Sequence, residues 1–589
     1  CEEIFGVDLR SLALLRVGLA LLVIIDLVQR SFDLKAHYTD LGILPRWALT
    51  HDLGNVWSVS LHNLSGTSEL EAALFVFHGV VAVILLVGFK TRYMTILCWV
   101  LVVSLHSRNP MVLSGGDNLL SLMLFWSIFL PMGSKFSIDH ALSRRDGERC
   151  NQYFSLATLA ILFQLAFMYW FNWIAKSHPV WSEDYTGLYY ALSLDLFSTR
   201  LGEVLLGFPS VTSTLTLITY WLEIFGPIAA FSPLANGPVR CLVVLAFIGF
   251  HIGIALTLHI GYFPAVAIVA WSVFVPGWLW DKLSERWKRR ESTHFFIYYD
   301  GECDFCKKTV LLLKTFFLWE RVTIAPAQGD PQIEPVFREN QSWIVVDKLG
   351  EVRIGFDGLI YGLCQTPFVG PVAVALRIPP IPIAGQALYR LVASHRSLFS
   401  RVTTRLHYQD NYTRMPRWVQ VLVLLFLAYV LTWNVSGVRN VEFDMPRPVY
   451  WVGPLLGLNQ HWSMFAPYPL RSDGWYVIPG ALKNGQAVDV YTGDDGVKWE
   501  KPHDVSGTYK NNRWRKYMVN IYKAKYKDQR LYYGRYLCRE WNGSHSDLEQ
   551  LETFEIFFME ELTASPGQQS KVKRRSLWRH DCTMKSTKK

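Results

Sequence analysis

The chain has 589 residues, 51% of them hydrophobic, and a formal net charge of +9. That apolar content excludes an ordinary soluble enzyme and predicts a membrane protein with soluble parts attached. The basic residues gather beside the apolar runs, as membrane topology dictates, which argues against nucleic acid as a partner. Nine cysteines are scattered apart from one close pair, Cys303 and Cys306, so no disulfide framework is implied. The first residue, Cys1, suggests a trimmed N-terminus, with a lipid-modified cysteine as the alternative.

In chain order, apolar runs fall at 11–28, 70–88, 94–105, 119–132, 155–174, 215–231, 241–258 and 263–280, followed much later by 419–433. They predict a mostly α-helical polytopic bundle of about eight spans plus a ninth. The third and fourth runs are shorter than the roughly 20 residues that a straight span needs. Basic residues such as Arg10, Lys90, Arg92, Arg145, Arg149, Arg240, Arg286, Arg405, Arg414 and Arg417 fall in loops on one side, which becomes the cytoplasmic side. The opposite face then receives the loop SRNPMVLSGGD, the end of the fifth run and the end of the seventh.

That loop holds Arg108, Asn109 and Asp117 where bare backbone cannot face hydrocarbon, so it is buried in protein or lines a wet cavity. Arg108 and Asp117 are close enough in sequence to pair. They form either a staple between two helices or the polar floor of a site. Lys176 closes an aromatic run, where an ammonium either acts as a base or snorkels to the interface among Trp and Tyr. His251 and His259 lie on or just past the seventh run. Their spacing carries no metal signature, and a lone histidine on an apolar face is commonly a satisfied core residue.

The first 285 residues resemble the HTTM domain, the membrane module of vitamin K-dependent gamma-glutamyl carboxylase. The resemblance runs through SLHSRNPMVLSGGDNLLSLMLFWSIFLPMG, Gln164, Tyr169, Lys176, Trp181, LEIFGPI and FHIGIALTLHIGYFP. It implies a carboxylase-like enzyme of the carbon–carbon lyase type that uses a reduced quinone. Lys176 would be the base, and Arg108, Asn109, Asp117, Trp181, His251 and His259 would shape the quinone or substrate site. Nothing in the chain matches the propeptide-binding region of the animal enzyme.

Residues 294–401 read as a small thioredoxin-like α/β unit: a strand FFIYYD, the turn DGECDFC and a helical run. A CxxC at a strand-to-helix turn sets its first sulfur at a helix N-terminus, where thiolate is stabilised. Cys303 is then the nucleophile and Cys306 the resolving thiol, with a zinc half-site or two inert cysteines as alternatives. The motif resembles the DCC family of thiol–disulfide oxidoreductases, in which Asp300 supports the cysteine pair. Basic flanks put this unit in the cytoplasm. After the ninth helix at 417–434, residues 439–589 read as a β-rich extracytoplasmic domain with a basic, disordered tail.

Three functions follow. The leading one is a quinone-linked, carboxylase-like enzyme of a bacterial inner-membrane type, coupled to the CxxC unit and acting on quinone or a membrane-proximal peptide or protein. The second is a thiol–disulfide oxidoreductase on an inert scaffold, and the third a non-enzymatic lipid- or peptide-binding protein. No Walker loop, GxGxxG or metal cage is present, so neither nucleotide nor metal is expected.

Overall fold

The computed structural model describes residues 2–53, 57, 59–144, 151–290, 294–319, 321–366, 369–408, 415–439, 441–563 and 570–583. Cys1, Arg145, Arg149 and Arg414 lie outside these residues. The first half is helical: α1 (Leu9–Ser31), α2 (Ser68–Val87), α3 (Thr91–Arg108), α4 (Gly115–Ser127), α5 (Leu156–Ala175), α6 (Pro209–Ala230), α7 (Asn236–Thr257), α8 (Phe263–Trp271) and α9 (Gly277–Arg290). Local chemistry sets the ends. Asp8 caps α1 by accepting the Arg10 N–H at 2.8 Å, and Gly88 ends α2 at φ 70°. Capping boxes of Ser114 with Asp117 and Ser155 with Thr158 start α4 and α5.

Among the described residues five helices are long and apolar enough to cross a membrane: α1, α2, α5, α7 and, later, α13 (Arg417–Ser436). The number rises to seven if two bent pairs each count as one span, Arg200–Leu206 with α6 at 108° and Phe263–Phe274 with Gly277–Arg286 at 85°. Length and composition thus support five to seven of the eight or nine spans that the apolar runs predict. α4 has only 13 residues and is buried along nearly its whole length. It is an internal helix whose apolar run is matched to protein instead of lipid.

The bundle core is built around Trp126, Tyr169, Phe247 and Trp271, all buried. The segment after α13 enters this core. Leu458 and Trp462 join it, and Gln460 meets Gln164 of α5 through a 2.8 Å hydrogen bond from Gln164 Nε2. Trp126 Nε1–H donates to Gln164 Oε1 at 3.1 Å, and Trp462 Nε1–H to Gln460 Oε1 at 2.6 Å. Buried amides and indoles satisfy one another, and the segment is a plug in the bundle more than a lid over it.

The unit between α9 and α13 has a four-stranded sheet, β1 (Phe295–Tyr299), β2 (Val322–Pro326), β3 (Ile344–Val346) and β4 (Val352–Ile354), in the order β2-β1-β3-β4. β1 and β2 are parallel and β3 is antiparallel to β1. α10 (Asp304–Phe316) makes the crossover between the parallel strands, and α11 (Phe356–Cys364) and α12 (Ile381–Ser394) follow the sheet.

The last unit is mixed. Strands β5 (Ser472–Val477), β6 (Pro479–Leu482), β7 (Ala487–Asp489), β8 (Leu551–Leu562) and β9 (Lys571–Asp581) form one antiparallel sheet, accompanied by helices α14 (Asn512–Tyr522) and α15 (Gln529–Ser544). Two expectations are corrected here. The basic tail is not disordered: as β9 it pairs with β8 from Lys571 opposite Leu562 to Asp581 opposite Thr553. β8 offers it carboxylates, and Arg575 Nε meets Glu560 Oε2 at 2.5 Å. The cysteines are not all isolated either, since Cys538 of α15 and Cys582 just beyond β9 form a disulfide.

Candidate functional site

The polar loop of the bundle does not hold the expected Arg108–Asp117 pair. Arg108 Nη1 donates to the Leu44 carbonyl at 2.8 Å. Asp117 Oδ1 instead accepts Arg30 Nη2 at 2.5 Å, the Tyr262 hydroxyl at 2.6 Å and Arg513 Nη2 at 3.1 Å. Its Oδ2 is used by the capping box, accepting the Ser114 N–H at 2.6 Å. That carboxylate lies 3.5 Å from His106 Nε2 in the last turn of α3 and also faces α1. There Asp26 Oδ2 accepts Arg30 Nε at 2.7 Å, and Asp26 Oδ1 pairs with Arg513 of α14. Asn109 braces the same loop, donating to the His37 carbonyl at 2.9 Å and accepting the Met111 N–H at 3.1 Å.

Asp26, Asp117, Arg30 and Arg513 therefore form a buried network with two charges of each sign. Asp26, His106 and Asp117 place ligand-type atoms within 4.8 Å of one another. Two guanidinium groups already occupy those carboxylates, so the arrangement is an ion-pair lock and a poor cation cradle. The residues missed from sequence are Asp26, Arg30 and Arg513. The first two carried a signal, as ionisable groups one turn apart at the end of an apolar run.

Lys176 and Trp181 do come together, with a partner that sequence reasoning passed over. Lys176 Nζ donates to Glu223 Oε1 of α6 at 2.6 Å and sits 4.5 Å from the Trp181 ring centre. Asn172 Nδ2 reaches the same oxygen at 2.9 Å. All three polar side chains are buried, and Glu223 Oε2 has no hydrogen-bond partner among the described residues. His251 shares a 2.7 Å hydrogen bond with the Tyr169 hydroxyl, which also accepts Trp271 Nε1–H at 2.8 Å. His259 is exposed, and its carbonyl takes Arg515. The expected single outer site is thus three separate groups: the ion-pair lock, the Lys176–Glu223 pair and the Tyr169–His251–Trp271 core cluster.

The cysteine pair stands where β1 turns into α10. The Cys303 N–H donates to the Asp300 carbonyl at 3.1 Å, and the Cys306 N–H points at Cys303 Sγ, 3.2 Å away. Cys303 is the N-cap of α10, so its sulfur lies at the positive end of the helix. The two Cα atoms are 5.2 Å apart and the sulfurs are joined as a disulfide. Asp300 holds the turn: its Oδ1 accepts the Glu302 N–H at 3.2 Å and Gln328 Nε2 at 2.9 Å, and Arg396 lies 3.5 Å from its Oδ2. Both cysteines are half-buried. Among the described residues the one metal-like grouping of side chains lies in the bundle and contains neither cysteine.

Residues 297–402 match the DCC1-like thiol-disulfide oxidoreductase family. No curated protein and no solved structure matches the chain. The DCC1-like domain runs from β1 through the CxxC turn and α12, so the match covers the whole cysteine site and its sheet. Beside Cys306 the domain has an apolar pocket of about 310 Å³, lined by Tyr299, Phe305, Leu313, Trp343, Leu388 and Tyr389 among others. Lys308, one turn along α10, is buried, pairs with Asp304 at 2.6 Å and donates to the Thr403 carbonyl at 2.9 Å. Tyr408 donates to Asp304 at 3.1 Å, and burial with the nearby carboxylate pushes its hydroxyl up to about 12.

The DCC1-like domain also touches the bundle. α10 packs against the short helix Ile138–Ala141, which follows α4. The C-terminal domain meets the other end of α4: α14 packs on the turn Pro110–Val112, and Asn520 Nδ2 donates to the Met111 carbonyl at 2.8 Å.

Proposed function

We propose that the chain is a membrane-anchored thiol–disulfide oxidoreductase whose chemistry is carried by Cys303 and Cys306. The observation that carries this reading is the seating of Cys303 Sγ at the start of α10, with the Cys306 N–H aimed at it and the two residues in disulfide range. The balanced step is exchange. The Cys303 thiolate attacks a substrate disulfide, forming a mixed disulfide and releasing one substrate thiolate. The Cys306 thiolate then attacks Cys303 Sγ, releases the second thiolate and leaves the Cys303–Cys306 disulfide, so two electrons pass to the substrate. The reverse sequence oxidises a dithiol. A Cys306→Ser variant of the full chain should accumulate a mixed disulfide on Cys303, seen as a reducible adduct by mass spectrometry. The reading fails if exchange with a small disulfide survives Cys303→Ser.

Two features support a cytoplasmic DCC1-like domain and an extracytoplasmic C-terminal domain. One is the bias of basic residues. The other is the Cys538–Cys582 disulfide, a bond that persists in oxidising compartments. A membrane-impermeant thiol reagent applied to intact cells after reduction should miss Cys303 and label it only once the membrane is opened. Labelling of Cys303 in intact cells would invert the orientation.

The quinone-linked, carboxylase-like reading rests on the Lys176 pair. Lys176 is held by Glu223 and lies against Trp181. The quinone reading would need Lys176 released from Glu223, a step that the thiol reading does not require. Glu223 Oε2 is the uncommitted atom of this pair. If the membrane site has chemistry of its own, Glu223→Gln should abolish it as completely as Lys176→Met.

A further inference from the structure

One face of the DCC1-like domain is unlike the surface of a soluble protein. Ile378, Ile383, Leu388 and Leu391 are 59%, 73%, 62% and 57% exposed. Val372 and Val374 extend the same apolar stretch, which runs into α12. The opposite side of α12 is fixed to the sheet. The Ser342 hydroxyl donates to the Tyr389 hydroxyl at 2.8 Å, and the Phe356 N–H donates to Gln386 Oε1 at 3.0 Å. The outward apolar side chains are therefore held in place, with no described part of the chain covering them.

Charge follows the same stretch. Residues 358–409 contain no Asp or Glu, while Arg377, Arg390, Arg396, Arg401 and Arg405 fall within them. Arg377, Arg390, Arg401 and Arg405 are exposed. An amphipathic helix with large aliphatic side chains on one side, Arg390 within it and Arg377 just before it, has the composition of a segment that lies in a headgroup layer. The domain is also confined close to a bilayer. It is joined in sequence to the bundle through α9 and to the membrane helix α13, and its α10 packs on the bundle at Ile138–Ala141.

We propose that residues 372–391 form an interfacial surface by which the DCC1-like domain lies on an anionic lipid leaflet, with Ile383, Leu388 and Leu391 in the acyl–headgroup boundary and the arginines on lipid phosphates. Leu388 both belongs to this surface and lines the pocket beside Cys306. The surface thus sets that pocket against the lipid phase. The binding itself does not depend on the thiol reading.

The test uses the full chain in nanodiscs of phosphatidylglycerol and phosphatidylethanolamine, carrying the photo-crosslinker p-benzoylphenylalanine at position 383 or 388. The control position is Leu349, which is 90% exposed in the turn between β3 and β4. Illumination should give phospholipid adducts at 383 and 388 several-fold above those at 349. Exchanging Arg377→Glu together with Arg390→Glu should lower the yield in anionic discs and leave it unchanged in purely zwitterionic ones. Protein adducts in place of lipid adducts, whether with a second copy or another chain, would overturn the proposal. So would yields at 383 and 388 no higher than at 349, or a yield indifferent to both arginines.

Discussion

Replacing Arg513 by Ala should unfasten the C-terminal domain from the bundle. With Arg513 present, Asp26 and Asp117 face Arg30 and Arg513 in a network of zero net charge. Without it, two buried carboxylates share Arg30, and one negative charge is left uncompensated away from water. Breaking a buried pair by removing one partner costs about 3–5 kcal/mol. Arg513 also donates to the Val112 carbonyl at 3.2 Å, a bond to a charged donor worth about 1.5–3 kcal/mol by itself. The loss should therefore sit near the upper part of the first range. Thermal unfolding of the detergent-solubilised chain would show it as a lowered first transition, and limited proteolysis would show earlier release of the C-terminal domain. The control is the double change Asp26→Asn with Arg513→Ala, which restores neutrality without restoring the ion pair. It should recover most of the loss and give a coupling energy of about 2 kcal/mol or more in a double-mutant cycle. The charge argument is refuted if Arg513→Ala costs less than about 1 kcal/mol, or if the double variant is no more stable than Arg513→Ala.

Two further outcomes are expected in the C-terminal domain. Burial and the neighbouring Asp195 push Asp473 up to about 7, above the ordinary value of 3.8 for its carboxyl. The folded state therefore holds its proton more tightly than the unfolded chain, and the cost of ionising Asp473 grows as pH rises from about 4 to about 7. Unfolding scans across that window should show Asp473→Asn losing less stability with rising pH than the parent, and equal slopes would count against this assignment. The Cys538–Cys582 bond closes a separation of 44 residues, for which chain entropy gives about 4 kcal/mol. Cys538→Ser should accordingly lower the urea midpoint of this domain and free the end of β9 to proteases, while an unchanged midpoint would mean the sheet holds β9 unaided.

What the sequence discloses is what is local. The CxxC turn, its strand and its helix lie within one short stretch, so residue types and spacing locate Cys303 and Cys306 at the strand-to-helix turn where the structure has them, with Asp300 in the same turn. Five of the apolar runs coincide with helices long and apolar enough to cross a membrane, for the same reason. The run at 119–132 misleads because an apolar helix buried in protein has the same composition as one in lipid. α4 is told apart by its 13 residues. The partner of Asp117 is hidden because Arg513 lies 396 positions away in another domain, whereas Arg108 is close in sequence and points elsewhere. Glu223 was readable as a carboxylate in an apolar run, but its pairing with Lys176 spans 47 positions. The tail was misread because a basic stretch looks solvated until the acidic strand it pairs with is known.

The distance in sequence between Asp26 and Arg513, 487 positions, bears on how the protein is made. A ribosome delivers α1 and α4 to the membrane long before it has translated α14. Throughout that interval Asp26 and Asp117 sit near Arg30 as their sole guanidinium partner, and the bundle carries an unneutralised charge. Only when the C-terminal domain has folded onto the bundle does Arg513 complete the pairing of Asp26 and Asp117.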